Sequence, residues 1–98
     1  MSQEVNLVAI LEIDEGAWSK ISDAVNVCVS RSREEKGNHS YTAYFQSDKP
    51  NKIVFIECWA NQQALDAHCE TEHFQNLMRV VKPFAVKPLE LLNLKPAK

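Results

Sequence analysis

Lys52-Ile53-Val54-Phe55-Ile56-Glu57-Cys58-Trp59, then Ala60-Asn61, then Gln62-Gln63-Ala64-Leu65-Asp66-Ala67-His68-Cys69-Glu70-Thr71-Glu72-His73-Phe74, reads as a strand, a cap and a helix with almost no linker. Ile53 to Ile56 are β-branched or aromatic, and such residues favour a strand. Strand side chains alternate, so Phe55, Glu57 and Trp59 share one face while Val54, Ile56 and Cys58 share the other. The second set reads as core. The first places a carboxylate between two aromatics, which asks for solvent or a ligand. Asn61 is a helix cap for Gln62 onward. Trp59, His68 and His73 are therefore expected in one corner of the fold.

Upstream, Val5 to Ile13 reads as a strand with Val5, Leu7, Ala9, Leu11 and Ile13 on one face. Its middle is apolar on both faces, which predicts cover on both sides. Asp14-Glu15-Gly16 breaks it and supplies an acidic helix start. From Ala17 the period becomes 3.6, with Ala17, Ile21, Ala24 or Val25, and Cys28 on one stripe. That helix is expected to run through Glu35-Lys36 and end at Gly37. His39 to Gln46 is the second strand, and Ser47 to Asn51 the hairpin connection, with Pro50 fixing its backbone.

Downstream, the helix from Gln62 is expected to pause near Glu70-Thr71, where either residue recaps a second piece. That piece carries Phe74, Leu77, Met78 and Val81 at helical spacing and ends near Lys82, before Pro83. Ala85 to Leu94 is the last strand, with Pro88 arguing for an edge or a bend. The order is β-α-β-β-α-β, the split βαβ arrangement of a ferredoxin-like α+β fold. Helices on one face of a four-stranded antiparallel sheet leave the other open. Val8, Ile10, Phe55 and Trp59 are assigned to that open face, and so much apolar surface predicts a homodimer packed sheet to sheet.

The 98 residues make one domain, residues 1–98. A net charge of −2 and scattered basic residues give no case for nucleic acid or an anionic membrane. Three cysteines without a CxxC pair argue against a disulfide framework, and no signal peptide or membrane span is visible, so a cytoplasmic location is expected. With only Gly16 and Gly37, the chain has no glycine-rich nucleotide cradle.

Glu57-Cys58-Trp59, Ala64-Leu65-Asp66-Ala67-His68 and Thr71-Glu72-His73-Phe74, with the helix ending in Glu35-Lys36-Gly37 and the following Tyr41, resemble the antibiotic biosynthesis monooxygenase superfamily. The resemblance covers nearly the whole chain. It implies ferredoxin-like subunits paired into a dimeric α+β barrel. It also implies a choice of chemistries: cofactor-free oxidation of quinols and polycyclic phenols, haem degradation, or isomerisation of sugar phosphates. Trp59 matches the strand tryptophan that lines the cavity of the polyketide-oxidising members. Their asparagine four residues earlier is Phe55 here. The axial histidine of the haem-degrading branch falls near Met78 and its characteristic tryptophan near His68, so residue identity disfavours haem.

His68 and Glu57 are the catalytic candidates. A histidine exchanges protons near neutral pH, and Glu57 either orients it or acts as the base itself if burial raises its pKa. The plainer reading is that the two hydrogen-bond each other or a strand end. Trp59, Phe55 and His73 are candidates for binding a small aromatic or quinol-like substrate, although each also fits core, cap or subunit contact. The cysteines read as small buried hydrophobes. No metal and no cofactor is expected. His68 and His73 are five apart, off one face of an ideal helix, and only a break near Thr71 would bring them together. A redox reaction would draw its electrons from the substrate. The alternatives are a binding protein that performs no chemistry and a hydroxyketone-phosphate isomerase.

Overall fold

The computed structural model describes residues 3–97. Its elements are β1 (Val5–Glu12), α1 (Trp18–Arg33), β2 (Asn38–Gln46), β3 (Lys49–Trp59), α2 (Gln62–Cys69), α3 (Glu72–Val81) and β4 (Glu90–Leu94), with a 3-10 turn at Lys82–Phe84. The four strands form one antiparallel sheet in the order β2-β3-β1-β4. This is the ferredoxin-like α+β fold, with the second helical segment divided in two.

Register decides which face the helices cover. Leu7, Ala9 and Leu11 of β1 stand opposite Glu57, Phe55 and Ile53 of β3, and Tyr41 of β2 stands opposite Glu57. These residues are buried together with Ile21, Val25 and Cys28 of α1 and Leu77 and Val81 of α3. Fully burying aliphatic side chains such as Leu11, Ile21 and Leu77 stabilises the fold by about 1.5–3 kcal/mol each. The two faces of β3 are thus grouped as the sequence predicts, but inside and outside are exchanged. Phe55 and Trp59 are 2% and 0% exposed and lie under the helices, while Ile56 is 47% exposed. Alternation says which residues share a face; only contacts distant in sequence say which face is covered.

The open face is still apolar. Val8 pairs with Ile56 and Leu92, and Ile10 pairs with Val54. Tyr44, Ile56, Leu92 and Leu94 are all exposed.

Four boundaries differ from expectation for identifiable reasons. The β2–β3 ladder runs on to a Gln46–Lys49 pair, which narrows the connection to Ser47–Asp48 and puts Pro50 near the start of β3. A proline is tolerated there because few ladder bonds remain to be lost. The last strand begins at Glu90, not Ala85. Ala85 makes an isolated bridge to Ile13, and Pro88, which has no N–H to donate, lies in the gap. No acidic side chain caps α1: its N-cap is Ala17, whose N–H bonds to the Asp14 carbonyl.

At its other end α1 stops at Arg33, and residues 34–36 continue as turns. Gly37 then takes φ +93°, and a Cβ there would lie 2.8 Å from Cβ of Ala64. Its carbonyl accepts from the Ala60 N–H at 2.7 Å. The end of α1 is thereby pressed against the start of α2. This contact positions the site.

Candidate active site

α2 begins where the Asn61 side chain accepts the Ala64 N–H at 2.8 Å. His68 is its buried residue, 1% exposed. The helix ends at Cys69 and restarts because Thr71 caps α3: Thr71 Oγ1 accepts the Phe74 N–H at 3.2 Å and donates to the His68 carbonyl at 2.7 Å. A continuous helix would set His68 and His73 about 140° apart around its axis. The break turns the chain so that both face Glu35, in the turn after α1. Glu35 Oε2 lies 2.7 Å from His68 Nδ1 and 2.7 Å from His73 Nε2.

A carboxylate oxygen only accepts, so both ring nitrogens donate to it. That fixes His68 as its Nδ1–H tautomer. Its Nε2 is buried without a hydrogen-bond partner among the described residues. Burial lowers the His68 pKa and the His73 charge adds to this, while the Glu35 hydrogen bond and charge oppose both. The neutral ring therefore carries its lone pair on Nε2. Leaving such an atom unpaired costs about 1–3 kcal/mol, a penalty that a ligand would remove.

Glu57 makes no hydrogen bond to His68 among the described residues; its Oε1 accepts the Trp59 indole N–H at 2.9 Å. Burial pushes the Glu57 carboxyl up to about 7, the Trp59 bond opposing and the Glu35 charge adding to the shift. Glu57 and His68 both line a cavity of about 290 Å³. Its apolar wall is Leu7, Ala9, Leu65, Phe74, Leu89 and Leu91, and its other polar groups are Gln62, Asp66, Cys69 and Asn93. Among the described residues, no lysine or arginine lines it.

The structure places the other candidates outside this wall. Trp59 packs behind His68, ring centroids 4.6 Å apart, and Phe55 packs against Tyr41 at 5.9 Å. His73 binds Glu35 and borders a shallow depression with Arg31, Glu72 and Asn76. The role expected of Glu57, holding the imidazole, is filled by Glu35. Glu35 went unnoticed because it sits in a run of charges that reads as the solvated end of a helix. The signal that points to it is Gly37, two residues on, which marks a close approach to another element. The break expected near Thr71 is present, and it brings His68 and His73 to one carboxylate. Glu35, His68 and His73 offer three ligand atoms within 4.8 Å of one another, as do Glu4, His39 and Cys58 at an exposed edge of the sheet.

The family model for antibiotic biosynthesis monooxygenase matches residues 5–80. The chain belongs to the antibiotic biosynthesis monooxygenase family. Among relatives, it is 33% identical over 64 residues to "Putative monooxygenase YcnE" of Bacillus subtilis, covering 65% of this chain and 67% of that protein. It is also 33% identical over 63 residues to sll1783 of Synechocystis, covering 64% of this chain but only 43% of that longer protein. Solved structures of the same fold include PA3566 from Pseudomonas aeruginosa, with a TM-score of 0.90, 23% identity and coverage of 100% and 98% of the two chains. Rv0793 from Mycobacterium tuberculosis superposes with a TM-score of 0.87 at 24% identity, covering 97% and 96%. At these identities the solved structures speak for the fold alone. No helix among the described residues is long and apolar enough to cross a membrane.

Proposed function

We propose that the protein is a monooxygenase that oxidises a small quinol or electron-rich phenol with O₂, the substrate supplying all the electrons. The observation that carries this reading is the unpartnered Nε2 of His68, held unprotonated by the Glu35 bond on the wall of an apolar cavity. Nε2 takes the proton of the substrate hydroxyl, and the resulting phenolate is a stronger electron donor to oxygen. A ring C–H becomes C–O, the O–O bond breaks, and the second oxygen leaves as water. For a hydroquinone the products are a hydroxyquinone and one water. Glu57, whose carboxyl burial pushes up to about 7, supplies a proton to the departing oxygen from its protonated form, and the apolar wall keeps bulk water from the reduced-oxygen intermediate. Trp59 and Phe55 serve as the packing behind the imidazole, and His73 as a second hold on Glu35.

The phosphorylated-sugar reading is less well supported, because a phosphate dianion would meet Asp66 and, among the described residues, no lysine or arginine on the cavity wall. The apolar open face supports a homodimer joined sheet to sheet, and three free thiols suit a reducing cytoplasm.

Oxygen uptake by chelator-treated, flavin-free protein against a panel of quinols, with a hydroxyketone phosphate included, tests the reading. His68→Ala is expected to lose about 10²–10⁴ in kcat while still binding the ligand. Turnover unchanged in that variant removes the base, and activity that returns only with iron or flavin removes the cofactor-free reaction. A quinone that alters tryptophan fluorescence without any oxidation above the uncatalysed rate makes the protein a binder instead.

A further inference from the structure

The Glu35 cluster holds more than an oriented base requires. We infer that Glu35, His68 and His73 form a site for one first-row transition cation, and that filling it moves the His68 proton from Nδ1 to Nε2.

Three separate elements bring these ligands together: the turn after α1, α2 and α3. Two imidazoles and a carboxylate suit Zn²⁺ and its neighbours, and leave at least one position for water. The side chains are already withdrawn from solvent, at 13% exposed for Glu35, 2% for His68 and 15% for His73, so little ordering remains to be done. A tetrahedral ion with bonds of about 2.0–2.1 Å sets its ligand atoms about 3.3 Å apart. The 2.7 Å separations from Glu35 Oε2 must therefore open by about half an ångström, which rotation of the side-chain tips can provide. His73 also borders a surface depression, which gives an ion a way in from solvent.

A neutral imidazole bound to a metal through one nitrogen carries its proton on the other. Coordination through Nδ1 therefore makes His68 Nε2 a donor where it was an acceptor. The site itself does not depend on the proposed reaction. Its effect on turnover rests on that reading: an ion at Glu35 abolishes the base and suppresses oxygen uptake.

The test uses the chelator-treated full chain carrying His39→Ala, which removes the exposed Glu4–His39–Cys58 cluster as a competing site. Calorimetric titration with Zn²⁺ is expected to show one ion per chain. Glu35→Gln and His73→Ala, each confirmed as folded by circular dichroism, are expected to weaken binding at least tenfold. Absence of binding at micromolar Zn²⁺, or unchanged affinity in both variants, overturns the site. On the same His39→Ala chain, Co²⁺ should give a nitrogen–oxygen ligand-field spectrum without thiolate charge transfer, and ¹⁵N NMR should show the His68 proton change nitrogens. A thiolate band would place the ion at Cys58, and an unmoved His68 proton would rule out coordination through Nδ1; either overturns the assignment. Zn²⁺ binding with these signatures in a protein that oxidises no quinol leaves the metal site standing and removes the reaction.

Discussion

At the scale of the residue, Glu57 is the group whose chemistry its surroundings alter most usefully. The residue is 5% exposed, and burial pushes its carboxyl up to about 7, against 4.5 for an unperturbed glutamic acid. If the protonated acid serves the reaction, kcat should fall as pH rises through about 7, and Glu57→Gln should remove that basic limb. The same shift acts on stability. A folded-state pKa above the unfolded value means a contribution fully present below 4.5 and lost as pH rises through 7. A shift of this size corresponds to about 3 kcal/mol. Wild-type Tm should therefore drop between pH 5 and pH 8 by more than that of Glu57→Gln. A parallel pair of melting curves would show that burial of the carboxyl is not what shifts it. Glu57 and His68 stood out in the sequence as candidates because acids and imidazoles beside an apolar strand are few. Their partners were not. The carboxylate that holds His68 lies 33 residues away in sequence, and nothing in local spacing joins the two.

At the scale of the element, the join between α2 and α3 does most to assemble the site. Sequence offered Glu70 or Thr71 as the cap, and the structure settles on Thr71, whose hydroxyl binds both the Phe74 N–H and the His68 carbonyl. Thr71→Ala should lower stability by about 1 kcal/mol. For a domain of this size, that is about 4–8 °C in Tm. A thermal melt checks the magnitude, and Thr71→Ser, which keeps the hydroxyl, should recover most of it. Helices and strands were readable from period and caps, since those signals are local. The start of β4 was not, because Ala85 and Val86 bond to the end of β1 without forming a continuous ladder.

At the scale of the whole molecule, one side of the sheet is covered by helices and the other presents Val8, Ile10, Val54 and Ile56 beside the exposed Tyr44, Leu92 and Leu94. Sedimentation equilibrium at micromolar concentration should give twice 11.2 kDa. Ile56→Lys, at the centre of that face, should shift the protein toward monomer without altering the Glu35–His68 side of the sheet. A folded wild-type monomer would remove the proposed pairing. The apolar character of the open face was legible in the sequence, and Val8 and Ile10 lie there as expected, whereas Phe55 and Trp59 do not. Both sides of β3 are apolar, so exchanging Phe55 and Trp59 for Val54 and Ile56 leaves the inference unchanged.

The interruption at Thr71 sets local helix preference against the cluster that it creates. A substitution there that favoured one unbroken rod would improve the intrinsic helicity of residues 62–81 and at the same time swing His73 away from Glu35. Intrinsic helix preference across residues 62–81 and the arrangement of imidazoles then pull in opposite directions, while the Thr71 hydroxyl offsets the cost of the break by capping α3. Relatives that hold two imidazoles on one carboxylate should keep a hydroxyl or another capping group at that position.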